Sequence, residues 1–174
     1  MQPPTQNDTP TSTAGADPAA GDVGTALGRI PSGLFLITWR TDDRDHGMLA
    51  SWVMQAGFAP PQVSIAVAPG RELLAALEGG RPCAVNVLAE TQRSVVGRFG
   101  KPAAAGEDPF AGLPLARTPR GLATLADAAA WLECDLVSRA AGGDHIVVVA
   151  RVTAGGGSGE RQPLVHLRRN GLRY

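Results

Sequence analysis

The sequence has no surplus of charge: 16 Lys and Arg residues balance 16 Asp and Glu. Proteins that hold nucleic acid through its phosphates need a basic surface, so that class is excluded. A local basic pocket for one phosphate group remains compatible with the balance. Cysteine is scarce, with only Cys83 and Cys134. Both sit in apolar runs, where a free thiol behaves as a small buried hydrophobe, and two cysteines give no disulfide framework. No apolar run is long enough to span a bilayer. Met1 to Gly21 has neither the basic start nor the apolar stretch of a secretory signal. These absences lead to the expectation of a soluble, cytoplasmic protein that binds neither nucleic acid nor membrane.

Catalytic signatures are missing as well. There is no Gly-x-x-x-x-Gly-Lys-Ser/Thr phosphate loop and no Gly-x-Gly-x-x-Gly opening a first βαβ unit, which removes P-loop and Rossmann domains. The histidines, His46, His145 and His166, show no metal-ligand spacing, so no metal site is expected. Ser51 is not in a Gly-x-Ser-x-Gly elbow. A triad of Ser51, Asp144 and His145 is also disfavoured. Adjacent side chains on a strand point to opposite faces, whereas a triad needs its acid to orient the base.

What is present is a turn-rich, apolar chain. Gly (22) and Pro (14) favour many turns over long helices, and 44% hydrophobic residues suffice for a core. Residues 1–21 are Pro-, Thr- and Ala-rich without periodicity and read as a disordered tail, leaving 22–174 as one domain. Asp22 is placed to cap a helix that runs to Ile30 and is stopped by Pro31. Gly33 to Trp39 and Gly47 to Val53 read as strands around the polar turn Thr41–Asp45. Val63 to Val67 alternates with period two. Arg71 to Leu77 and Thr91 to Phe99, the latter capped by Thr91, read as short helices. Ala84 to Leu88 is a strand, and Gly100 to Leu115 reads as irregular. Two longer strands join through Gly142-Gly143, Gly155–Gly159 reads as a flexible turn, and Leu164 to Leu167 forms the last strand. Strand follows strand without regular helical crossovers, so the fold class is mainly β: an antiparallel β-barrel with a few short helices.

Three segments stand out. They are Gly47 to Pro61 (GMLASWVMQAGFAPP), Ala84 to Leu88 (AVNVL) followed by Gln92 and Phe99, and Gly142-Gly143-Asp144-His145 running into Ile146 to Val152. In this order and spacing they resemble the flavin reductase-like family, the FMN-binding split barrels. ALGRI (Ala26 to Ile30), MLASWV (Met48 to Val53) and GEDPFAG (Gly106 to Gly112) are most similar to the C-terminal flavin reductase domain of cyanobacterial flavodiiron proteins. The resemblance covers Thr25 to Tyr174. No diiron or flavodoxin module is expected within these 174 residues, which leaves the electron acceptor open.

The resemblance implies a flavin held by Met48, Leu49, Ala50, Ser51, Trp52, Val53 and Gln55, with Ala68, Arg71, Asn86, Val87 and Leu88 nearby. Physical readings accompany these assignments. Small residues at Ala50 and Ser51 let backbone approach a ring, whose polar edge backbone N–H groups can bond. Trp52 either covers the ring or a dimer face, or packs in the core. Ser51 bonds the flavin or is a satisfied strand hydroxyl. Arg71 opens a helix, a favourable place for an anion, and is the phosphate candidate unless it is a solvated surface residue. Asn86 is a buried amide needing partners, either the flavin or backbone. His145 is the candidate catalytic and dinucleotide-positioning residue, not a general base, with a turn-bonded structural role as the alternative. Arg168 and Tyr174 are assigned to closing the substrate site. The expected activity is an NAD(P)H:flavin oxidoreductase, with FMN or FAD as flavin and NADH or NADPH as donor. A homodimer with the flavin at its interface and an electron-acceptor protein are the implied partners. The alternative is a flavin- or haem-binding electron-transfer module without efficient NAD(P)H turnover.

Overall fold

The computed structural model describes residues 18–101, 106–157 and 159–172. The chain divides into two compact units: residues up to Ile30 with the segment from Leu167 onward, and Pro31–His166. In the first, helix α1 spans Pro18–Gly28, starting earlier than the expected Asp22, as suits a proline at a first helical position. Gly171 N–H donates to Gly24 O at 2.7 Å, tying the C-terminal segment to this helix. Residues 1–17 of the expected tail lie outside the described residues.

The second unit is built on antiparallel strands. After the short β1 (Ser32–Gly33), β2 (Phe35–Thr41) and β3 (Arg44–Ala50) form the expected hairpin. Its turn is Asp42-Asp43, both at positive φ (48° and 62°), the two-residue geometry that matches strand twist. Then come β4 (Val53–Phe58), β5 (Pro61–Val67), α2 (Glu72–Glu78), β6 (Cys83–Val87) and α3 (Arg93–Phe99). Thr91 does not cap α3; Gln92 holds the cap position, and its Oε1 accepts from Ala89 N–H at 3.0 Å. A small hairpin follows, β7 (Leu115–Arg117) and β8 (Ala123–Leu125), then the long strands β9 (Ala130–Gly142) and β10 (His145–Gly157). Gly155 to Gly157 continue β10 rather than forming a turn. They pair with Leu132, Trp131 and Ala130. The last strand, β11, is only Val165–His166 and pairs with β1.

Seven strands make one sheet in the order β3-β2-β6-β9-β10-β5-β4. The stretch Gly47 to Val53, expected as one strand, is divided at Ser51-Trp52 between β3 and β4, the two edges of that sheet. Laid flat, six inter-strand gaps would hold these edges about 29 Å apart. Two connecting residues bridge at most about 11 Å from Ala50 to Val53. The sheet must therefore roll until its edges meet at this corner. No β3–β4 ladder is formed among the described residues, so the barrel is split rather than closed by hydrogen bonds.

Strand alternation sorts side chains to two faces. Ile37, Trp39, Ile65, Val67, Val85 and Val148 fill the inside, covered by Leu73, Leu74 and Leu77 of α2. Leu34, Leu36, Leu88 and Leu125 point outward beneath Phe99 and Phe110. Gly47 permits this outer packing: a Cβ there would lie 2.7 Å from the Phe99 ring and 2.9 Å from that of Phe110. Both cysteines are free and buried, as expected. They face each other across β6 and β9.

Candidate active site

Several of the singled-out residues converge where the sheet edges meet. Trp52 leaves β3, and its carbonyl accepts from Ala66 N–H of β5 at 3.0 Å. Val67, at the end of β5, pairs with Ile146 near the start of β10. Ala68 and His145 follow and precede that pair, so they share this end of the ladder. The Trp52 and His145 rings meet edge to face with centroids 4.7 Å apart. Trp52 is 39% exposed, whereas His145 is buried. An indole at the surface thus rests against an enclosed imidazole.

Asp144 completes this corner. Its Oδ1 lies 3.0 Å from His145 Nδ1, with the carboxylate almost fully in solvent. The hydrogen bond to His145, and then its charge, hold the Asp144 carboxyl below its usual pKa. This corrects the expectation that adjacent Asp and His diverge. Asp144 is a turn residue, not a strand residue, because Gly143 at φ 77° reverses the chain just before it. Alternation across a pleat does not apply inside a turn. The signal was present in the sequence: a Gly-Gly pair frees the following Asp to bend back toward its neighbour.

The remaining candidates distribute around the corner. Met48 and Ala50 are half-buried and pack toward the inner core, while Leu49 packs toward the outer one. Ser51 is half-buried and Val53 buried, whereas Gln55 is exposed on edge strand β4. Arg71 is exposed at the cap position of α2 and makes no side-chain capping bond. Since α2 has only seven residues, the guanidinium charge, not a helix dipole, is what an anion would meet here.

Asn86 and Leu88 differ from expectation. Both are wholly buried. The Asn86 amide donates to Leu36 O at 3.0 Å and accepts from Leu125 N–H at 2.9 Å. Backbone therefore takes both ends of this side chain, and no ligand reaches it in this arrangement. Val87 is half-buried and lies across Phe35 from Ala50. Arg168 belongs to the unit containing α1, and Tyr174 lies outside the described residues. No helix among the described residues is long and apolar enough to cross a membrane.

The antiparallel sheet is also the architecture of solved flavin reductases. The family model of the flavin reductase like domain matches residues 27–172, and the chain belongs to that family. Diflavin flavoprotein A 1 of Synechocystis sp. is 37% identical over 155 residues, covering 88% of this chain and 27% of that protein. The chain thus spans about a quarter of the length of the curated relatives it matches. Among solved structures, the styrene monooxygenase flavin reductase of Pseudomonas putida S12 is 28% identical, with a TM-score of 0.71 over 82% of this chain and 90% of that one. The NADH:FAD oxidoreductase of Streptomyces globisporus shares the fold, with a TM-score of 0.77 at 23% identity over 97% of this chain and 96% of that one.

Proposed function

We propose that this protein is a cytoplasmic NAD(P)H:flavin oxidoreductase that passes a hydride from a nicotinamide dinucleotide to FMN or FAD. The observation that carries the reading is the corner itself, where Ser51-Trp52, Ala68 and Asp144-His145 meet in a member of this family. Its residues suit a flavin. Ala50 and Ser51 are small enough for close backbone approach, Trp52 offers an exposed aromatic face, and Arg71 supplies a cation for a phosphate. A bound flavin supplies the two-electron acceptor, and the transfer needs stacked rings rather than an obligatory protein acid or base. His145 then acts by position. The Asp144 carboxylate lies 3.0 Å from Nδ1 and so orients the ring.

The functional unit is a homodimer with the flavin at its interface. Support comes from edge strand β4, where Met54 is 62% and Phe58 88% exposed; apolar side chains on an open sheet edge favour a partner. The test is anaerobic titration of flavin-loaded protein with NADH and then NADPH. Bleaching of the flavin's visible band is expected, slowed in both Asp144→Asn and His145→Ala. A second reading is favoured by the length of the relatives: a flavin-binding module that exchanges electrons with an acceptor protein and uses NAD(P)H poorly. Flavin that neither nucleotide bleaches, but that a protein electron donor reduces, would decide for it and against the first.

A further inference from the structure

A hydroxyl, an imidazole and a carboxylate meet at the end of the β2–β3 ladder away from Ala50. Thr41 is six residues along β2 from Phe35, the partner of Ala50, a separation of about 20 Å. Thr41 pairs with Arg44 and Trp39 with His46, so Thr41 and His46 are diagonal neighbours on one face of the ladder. Thr41 Oγ1 is 2.6 Å from His46 Nε2. On the far side of the ring, Nδ1 is 3.4 Å from Glu72 Oε2 of α2. The imidazole stacks on Trp39 with centroids 5.4 Å apart and planes 14° from parallel. Trp39 is buried, so the ring rests on a fixed floor.

This order of groups is the one that activates an oxygen nucleophile: a base within reach of a hydroxyl, and an acid that orients the base. The hydroxyl is within reach of a substrate, since Thr41 is only half-buried and the His46 side chain is 24% exposed. Donors for a developing oxyanion stand beside it. Asp42 and Asp43 lie between the two strands, so their N–H groups are not spent on the ladder. The N–H that follows a nucleophile is a recurrent oxyanion donor. Arg44, exposed and opposite Thr41, adds a positive charge. No spacing in the sequence marks the group, because the hairpin brings Thr41 to His46 and α2 supplies the acid.

We propose that Thr41, His46 and Glu72 form a second active site, an acyl-transfer site that hydrolyses small activated esters. Thr41 Oγ1 bonds to the acyl carbon as its proton passes to His46 Nε2. The bond from that carbon to the leaving oxygen breaks, and the alcohol departs with the proton. Water then attacks the Thr41 ester by the same route, releasing the carboxylic acid and restoring the hydroxyl. Nothing is oxidised or reduced. Glu72 stands where it stabilises the imidazolium that forms in each half. The site is independent of the flavin corner.

The experiment follows release of p-nitrophenol from p-nitrophenyl acetate by the full chain, with urea midpoints to confirm that each variant is folded. The parent is expected to exceed the buffer rate at least about a hundredfold. Thr41→Val, which keeps the volume, and His46→Phe, which keeps the stack on Trp39, should each lose that gain. Thr41→Ser should retain it. Glu72→Gln, at an exposed position, should lower it about two- to fivefold. Acid quenching followed by peptide mass mapping should find one acetyl group, on Thr41. If His46→Phe does not fold, the contrast between Thr41→Val and Thr41→Ser still decides. A parent no faster than buffer overturns the proposal. So does a Thr41→Val variant as fast as the parent, which would mean an imidazole acting alone, or an acetyl group that maps to another residue.

Discussion

Replacing Asn86 with Leu separates a structural amide from a flavin ligand. The side chain has no solvent exposure, and it fastens β6 to Leu36 of β2 and to Leu125 of β8 at 3.0 and 2.9 Å. Leucine preserves the volume but removes both bonds. Each is worth about 1 kcal/mol net, and the Leu125 N–H left unpaired in the interior adds about 1–2 kcal/mol. The expected loss is about 3–4 kcal/mol. With a urea dependence of about 2 kcal/mol per molar, the unfolding midpoint falls by about 1.5–2 M at unchanged slope. Tryptophan fluorescence follows the transition in flavin-free protein. Flavin affinity, measured in the cold where the variant stays folded, should match that of the parent. A variant as stable as the parent but with weakened flavin binding would refute the reasoning and return Asn86 to the ligand-facing role its sequence context suggested.

Three further outcomes follow from local geometry. Asp144 has its folded pKa depressed by His145, so its stabilising contribution is complete above the unfolded value of about 3.9 and is lost as pH falls through the lower folded one. The stability gap between parent and Asp144→Asn should thus be constant near neutrality and close in acid; a gap that widens there contradicts the pairing. The Cys83 thiol, hydrogen-bonded to Cys134 and then desolvated by burial, has its pKa raised, and Cys134 is likewise buried, so neither cysteine should react with an aromatic disulfide reagent until the protein unfolds. Fast labelling of the native state would count against that core. Gly47→Ala pushes a methyl group into the Phe99–Phe110 pair, whose centroids are 5.1 Å apart. It should lower stability by about 1–3 kcal/mol in a thermal melt, and an unchanged melt would mean the rings do not pack there.

Local pattern made much of the fold legible. The alternation of Val63, Ile65 and Val67 gave the right face of β5, and the polar turn placed the first hairpin. What escaped was set by tertiary structure. Met48 to Val53 is uniformly suited to a strand, and nothing in it marks the crossing at Ser51-Trp52, which arises because the two halves pair with opposite edges of the sheet. Gly155 to Gly157 looked like a turn because glycine lacks a side chain to favour extension. It stays extended because β9 supplies its ladder and the Trp131 ring lies where a Cβ of Gly156 would be, with Nε1 2.9 Å from that position. The site was partly legible: Trp52 and His145 do meet, but Asp144 was dismissed by a rule that holds for strands and not for turns. Asn86 was read correctly as a polar group needing partners, yet only the fold could show that backbone takes both of its ends.

The crossing at Ser51-Trp52 also means that covalent length, rather than a ladder, limits how far this barrel can gape. Each residue inserted between Ala50 and Val53 would slacken that tether by about 3.5 Å and break no strand pairing. A closed barrel would have to break a ladder to open as far. Because the slack falls on the residues around Trp52, loop length at this one joint is a dial on the spacing of the two sheet edges, adjustable without touching the core that keeps the protein folded.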